Sequence, residues 1–411
     1  MAVCTVIGAT AWAQSATPGL LGEAGGIRTD LSAHGVTLGL TDSENLLGSI
    51  AGGIKHGATM QGVTTGTLEV DTGKAFGLQG GTFHITALQI HGQPLTPAYL
   101  GTLQAANGNE AEDTTRLWEL WYDQTIPFAQ GDLKIGQQSI DNEFIVSQYS
   151  GLFVNTMAGW PLVPSADLYG GGPAYPLASL GGRVQLKPAT NTTILAGAFD
   201  DNPGGGSFSD DAQALDHSGS KFNLRTGALF IAELQYQVTI KPGTYKIGAW
   251  YDTGTFPDQR IGTDGISLAN PASNGTPKML RDDYSLYAVA DQTVWQSTAD
   301  SSRTLNLFTR LMVAPDDRNL ITFSINGGVT LAAPLIGRDN DQAGLDLGLG
   351  KVSNGAGGLN RSMEELIELT YQAQATPWLS VQPDIQYVIN PGAGIQLRNE
   401  LVAGVRANVT F

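Results

Sequence analysis

Apolar and polar residues alternate along most of this chain with a period of two. In 228–240, Phe230, Ala232, Leu234, Tyr236, Val238 and Ile240 share one face while Glu233, Gln235, Gln237 and Thr239 share the other, the pattern of a strand between two unlike surroundings. The alternation recurs in 244–252, 304–313, 343–352, 364–375, 379–389 and 400–411. The last of these sets Leu401, Ala403, Val405, Ala407, Val409 and Phe411 against Glu400, Arg406, Asn408 and Thr410. Followed from one end to the other, this parity predicts strands near 36–52, 61–72, 80–91, 115–126, 132–140, 181–188, 191–199, 227–240, 244–252, 284–296, 304–313, 320–332, 343–352, 364–375, 379–389 and 400–411. Gly48, Gly52, Gly53 and Gly57 blur the pattern in the first two. No heptad or long helical stripe competes.

The connections alternate in length. Lys187–Asn191, Lys241–Thr244 and Thr376–Trp378 read as tight turns, whereas 200–226, 253–283, 353–363 and 390–399 are long and rich in Gly, Asp, Asn and Pro. Short turns at one end and long loops at the other are the mark of a transmembrane barrel. Strands of a soluble sandwich or propeller are nearer five residues and would not hold one polarity per face over ten. The expected fold is therefore all-β, a transmembrane antiparallel barrel of sixteen strands, an even number as single-chain bacterial barrels have. Such a barrel is expected to hold water rather than a packed core, which makes its inward face the functional surface.

Composition narrows the functional classes. The 411 residues carry 22 basic and 38 acidic side chains, a net charge of −16, against the basic surface that nucleic acid requires. The 53 glycines are many, yet 41% of residues are hydrophobic, too many for a disordered polymer. There is no apolar run of 18 residues to make a membrane-spanning helix. The first charged residue is Glu23, and Val3–Thr10 followed by Ala11-Trp12-Ala13-Gln14 fits a secretory signal cleaved after Ala13, though a positive start is missing. Cys4, the one cysteine, would leave with it. The expected organisation is a signal remnant over 1–13, a segment at the pore mouth over 14–35 with a short helix near 29–34, and a barrel over 36–411. The histidines His34, His56, His84, His91 and His217 are dispersed, and neither H-E-x-x-H nor G-x-S-x-G occurs. No catalytic residue, metal or cofactor is expected.

Particular stretches resemble a known family. Gly25-Gly26-Ile27-Arg28-Thr29-Asp30-Leu31, the strand Leu117–Gln124 with Gly136-Gln137-Gln138, Pro161 with Ala178–Arg183, and above all Glu368–Gly392 are similar to the carbohydrate-selective porins of the OprB type. The resemblance implies diffusion of glucose and related sugars or polyols across the bacterial outer membrane. One departure is Glu23-Ala24 where the family usually has an acidic-aromatic pair. A general or anion-preferring porin, and a barrel-based exporter or adhesin for polysaccharide, stay open as alternatives.

With the apolar face toward lipid, the inward set includes Glu119, Trp121, Asp123, Arg183, Glu233, Lys246, Trp250, Asp252, Arg310, Asp346, Glu368, Asp384, Gln386 and Arg406. A neutral, hydroxylated sugar needs donors and acceptors side by side and a flat aromatic face for its C–H patches. The expected solute-channel residues are Arg28, Glu119, Trp121, Trp160, Arg183, Glu233, Trp250, Asp252, Arg310, Glu368, Gln386 and Arg406. Arg28 is expected at the constriction or the periplasmic exit. The patternless 141–180 stretch, with Trp160, Tyr169, Tyr175 and several prolines, is expected to fold into the lumen. Expected partners are small neutral sugars, outer-membrane lipid and lipopolysaccharide, the barrel assembly machinery through Phe411, and two further copies in a homotrimer.

Overall fold

A computed structural model describes residues 19–354, 362–394 and 396–411; the expected signal over 1–13 lies outside them. Sixteen strands run in chain order: β1 Val36–Ala51, β2 Gly57–Asp71, β3 Gly81–Gly92, β4 Thr114–Ile126, β5 Gly131–Gln138, β6 Ser179–Ala189, β7 Thr192–Asp200, β8 Ala228–Val238, β9 Gly243–Gly262, β10 Pro277–Gln296, β11 Thr304–Val313, β12 Ile321–Ala332, β13 Gln342–Val352, β14 Met363–Thr376, β15 Leu379–Ile389 and β16 Glu400–Thr410. Each pairs antiparallel with its sequence neighbour. β1 then pairs with β16, from Thr41 opposite Thr410 to Gly48 opposite Ala403, and the sheet closes. Closure is what hydrocarbon demands, because an open edge would leave a row of backbone groups with neither water nor partner.

Side-chain parity follows the sequence. On β8, Phe230, Leu234 and Tyr236 are exposed on the outer wall, while Leu229, Ile231, Glu233 and Gln235 are buried inside. β4 departs from strict alternation. Its register against β3 shifts between Glu119, opposite Thr86, and Leu117, opposite Ala87. The bulge at Trp118 puts Arg116, Trp118 and Glu119 all among the buried residues.

The four α-helices among the described residues are short: α1 Ile27–Ala33, α2 Thr72–Phe76, α3 Leu162–Asp167 and α4 Ala212–Leu215. α1 matches the predicted helix ahead of the barrel. Asp71 caps α2 by accepting from Lys74 N at 3.1 Å.

Two expectations need correcting. The stretch 253–283 is largely strand rather than loop, because β9 and β10 are 20 residues each and pair from Gly262 opposite Pro277 downward. Since about ten tilted residues suffice to cross the bilayer, the far parts of both strands stand in water. Nothing there requires an apolar outer face, so the period-two signal fades while the backbone pairing continues. The lumen is not simply water-filled either: its loop-end half holds a packed core. Phe144, Ile145, Leu162 and Val163 from the 139–178 segment pack with Leu229, Ile231, Trp250, Tyr287, Val289 and Met312 from the wall.

The short turns 127–130, 190–191, 239–242 and 377–378 share one end with the start of β1 and the end of β16, and 93–113, 139–178 and 201–227 share the other. In outer-membrane barrels the short-turn end is periplasmic. In a Cys4→Ser background, Ser209→Cys should be labelled in intact cells by an impermeant maleimide and Lys241→Cys only after the cells are opened. The reverse pattern would invert the barrel.

Candidate functional site

The 139–178 segment crosses the lumen, and the inward face of the wall satisfies its backbone. Ile145 N donates to Glu233 Oε2 at 2.9 Å, Gln148 N to Asp291 Oδ2 at 2.9 Å, and Val154 N to Glu368 Oε1 at 2.5 Å. In the other direction, Gln382 Nε2 donates to Leu152 O at 2.6 Å, Arg310 Nη1 to Gly159 O at 2.6 Å and Arg406 Nη2 to Val154 O at 3.3 Å. Arg310 also donates to Met157 O, and its Nε reaches Asn326 Oδ1 at 3.1 Å. A buried irregular segment must find partners for every N–H and C=O. Here carboxylates, amides and guanidinium groups of the strands supply them.

Glycine makes room for this crossing. The inward positions of β13 include Gly344, Gly348 and Gly350, and a Cβ there would collide with Phe153, Met157 and Leu162 respectively. The sequence Gly344-Leu345-Asp346-Leu347-Gly348-Leu349-Gly350 thus has a leucine face for lipid and a nearly bare face for the segment. A second loop, 93–113, packs beside it: Gly108 N donates to Val154 O at 3.0 Å and Thr156 N to Ala105 O at 3.1 Å. Glu364 Oε2 accepts from Leu103 N at 2.9 Å, and Gln386 Nε2 donates to Ala106 O at 2.8 Å. The two segments together narrow the channel.

This geometry divides the expected channel residues. Glu233, Arg310, Glu368, Gln386 and Arg406 hold the inward segments, and the first four are at most 2% exposed. Trp250 is 2% exposed within the apolar core, so its face is covered by the protein and is not a free stacking surface. Asp252 is buried and accepts from Gly254 N at 2.8 Å. Trp160 belongs to the inward segment itself and donates to Gly171 O at 2.8 Å. Arg28 is at the turn end, where Nη2 donates to Phe411 O at 2.5 Å. These positions correct the expectation of a lumen that holds water rather than a packed core. The signal for it lies in Leu229 and Ile231, apolar residues on an otherwise polar inward face.

Glu119, Trp121 and Arg183 are brought together on the wall formed by β2 to β6. Arg183 is ion-paired with Asp132, with Asp123 at 3.2 Å and with Glu143 at 2.5 Å. Lys134 is ion-paired with Glu143, and its Nζ lies 4.2 Å from the Trp121 ring centroid. His84 stacks on Trp121 with centroids 4.4 Å apart and planes 5° apart. His84 also faces Glu69 at 3.2 Å and Glu119 at 4.0 Å. Gln185 Nε2 donates to Asp132 Oδ2 at 2.8 Å. Glu69 keeps a 49% exposed side chain, and Asp123 one of 20%. His84, Lys134, Asp132 and Glu143 were missed from sequence, since the first three become notable only when five strands are laid side by side and Glu143 only when the inward segment returns against them.

A closed barrel, narrowed by its own loops and carrying a polar and aromatic patch along one wall, is a diffusion channel of the bacterial outer membrane and not an enzyme. Residues 55–411 match the carbohydrate-selective porin, OprB family. The chain is 25% identical to Porin B of Pseudomonas aeruginosa over 435 aligned positions, covering 95% of this chain and 91% of the relative. Its fold is similar to that of Pseudomonas putida OprB at high pH, with a TM-score of 0.84, 22% identity, and coverage of 96% and 99% of the two chains. The low-pH structure of that protein matches with a TM-score of 0.60 and 18% identity over 96% and 98%. The outer-membrane channel DcaP of Acinetobacter baumannii matches at 0.53 and 9% over 92% and 97%. The chain belongs to the carbohydrate-selective porin family, OprB.

The packing against β13 is directly testable. Gly348→Leu should drive Met157 off the wall, at a cost of about 1–3 kcal/mol in stability. It should also raise single-channel conductance in a planar bilayer, because the segment can no longer seat. Arg310→Ala should act in the same direction and cost about 3 kcal/mol or more, as removing one partner of a buried polar network does.

Proposed function

We propose that this porin selects neutral monosaccharides and polyols, glucose among them, and that the patch around Trp121 and Arg183 is where they bind. The observation that carries this reading is the side-by-side placement of donors on Arg183, Lys134 and Gln185 with acceptors on Asp123, Asp132 and Glu69, beside a Trp121 indole whose faces are taken by His84 and Lys134. A pyranose offers hydroxyls of both senses around its edge, which is the complement of such a row of donors and acceptors. Five carboxylates, Glu69, Glu119, Asp123, Asp132 and Glu143, stand with Lys134 and Arg183. That balance weighs against an anion channel, which would set cations in a row. The inward segments weigh against a polysaccharide exporter, since a polymer needs a wide, unobstructed path.

On this reading the 93–113 and 139–178 segments limit solute size, and Arg28 stands at the turn-end exit. Phe411, just past β16, is the residue through which assembly machinery would recognise the barrel. A solute that must leave again should bind weakly, on the order of millimolar, or about −4 kcal/mol. Glucose added to the purified protein in a planar bilayer should block ion current with saturation. Trp121→Ala and Arg183→Gln should each weaken that block about tenfold, or about 1.4 kcal/mol. A non-saturating viscosity effect would mark an unselective pore, and block by phosphate or a carboxylate in place of glucose would mark an anion channel.

A further inference from the structure

The chain carries a net charge of −16, yet its loop-end rim holds a basic pocket. The β1–β2 connection, Gly52-Gly53-Ile54-Lys55-His56, lies against the residues that lead into β16. Gly53 N donates to Arg398 O at 3.5 Å, and Ile54 N donates to Tyr99 O of the inward 93–113 loop at 2.8 Å. Glycine allows this approach: a Cβ on Gly52 would collide with Asn399 O, and one on Gly53 with Tyr99 O and the Glu400 side chain. Both glycines also have positive φ, 81° and 62°. Between the connection and the 396–398 residues lies a cavity of about 470 Å³, lined by Gly52, Gly53, Lys55, His56, Gln396 and Arg398 together with Ile54. That is room for a phosphate group and the sugar ring that bears it.

Lys55, His56 and Arg398 are exposed, and none of them forms an ion pair among the described residues. Lys55 Nζ stands 4.5 Å from the centroid of the Tyr99 ring. The carboxylate beside them, Glu400, is turned inward and fully buried, and accepts from Ser49 Oγ at 2.9 Å. Donors gathered without a carboxylate to neutralise them fit a compact anion such as phosphate. Their height on the wall narrows the source of that anion. The apolar outward face of β16 runs from Val409 to Leu401, about the length that a tilted strand needs to cross the bilayer. Ile50 of β1 and Met60 of β2 are exposed on the same stretch of wall. Arg398 and Lys55 stand just past the end of this belt, at the level of the outer-leaflet headgroups, and Ile54 between them and the belt is exposed too. A free anion has no use for an apolar surface beside its site, whereas an acylated phosphoglycolipid sends its chains down the wall from its phosphates.

We propose that this rim pocket binds a phosphate group of outer-leaflet lipopolysaccharide. Lys55 and Arg398 pair with the phosphate oxygens, His56 and Gln396 donate N–H groups to the phosphate or to the sugar that carries it, and the acyl chains lie over Ile50 and Met60. The inference does not depend on which solute the lumen takes. It gives the expected lipopolysaccharide partner a place on the protein.

Lipid A, the phosphorylated and acylated disaccharide of lipopolysaccharide, is the probe. Titrated in detergent micelles into the purified, delipidated protein and followed by native mass spectrometry, it should be retained by the wild type. The Lys55→Gln, His56→Gln, Arg398→Gln triple variant should bind it at least tenfold more weakly. Enzymatically dephosphorylated lipid A should bind the wild type as weakly as the intact lipid binds the variant. The variant should keep the wild-type single-channel conductance in a phospholipid bilayer, which shows that the barrel is folded and open. A wild type that retains no lipid A, equal retention by the two proteins, or undiminished binding of the dephosphorylated lipid would overturn the proposal. So would binding of inorganic phosphate or glucose 6-phosphate as tight as that of lipid A, because the apolar wall would then contribute nothing and the pocket would be a solute site.

Discussion

Everything in this molecule follows from the need of backbone N–H and C=O groups for partners where water is absent. In the bilayer that need closes the sheet, joining β1 to β16 across almost the whole chain length. A ring of sixteen strands has an interior too wide for its own side chains to fill. The chain therefore sends in 93–113 and 139–178, and the same need for partners then applies inside the barrel. Inward Glu233, Asp291, Glu364 and Glu368 accept from the backbone of the entering segments, and Arg310, Gln382, Gln386 and Arg406 donate to it.

A carboxylate or guanidinium group in a porin lumen is readily taken for a solute contact. Here the structural role comes first for most of them. Removing one partner of such a buried network leaves the other uncompensated, which is why these positions bear on loop seating before they bear on selectivity. The proposed solute contacts lie instead on the β2 to β6 wall, where Glu69, Asp123 and Asp132 keep part of their side chains exposed. There Arg183 links Asp123, Asp132 and Glu143, and Trp121 lies between His84 and the Lys134 ammonium group in a continuous patch. Bound charges of both signs keep directed hydrogen-bonding groups in place without a strong net attraction for ions, a suitable background for a neutral solute.

Parity along β8 and β16 was legible in the sequence because lipid on one side and polar lumen on the other impose opposite demands on successive residues. The short turns could be read for a related reason, since Pro, Gly and Asn mark places where the chain reverses. The same logic explains where reading failed. Beyond the bilayer, β9 and β10 face water on the outside and lose their alternation. At Trp118 a bulge places adjacent residues on one face, and no periodicity argument anticipates a single inserted residue.

The sequence by itself determined an all-β barrel of sixteen strands, its outward residues on most of the wall, and an irregular segment destined for the lumen. Each of these rests on local alternation or its absence. Only the tertiary structure decided which inward residues serve the fold, because that depends on where a forty-residue segment comes to rest against strands far away in sequence. It likewise decided that Asp42 and Glu44, on a strand blurred by glycine, face outward: their side is known only once Asn109 and Arg406 are seen bonding Ser43 and Asn45 from within.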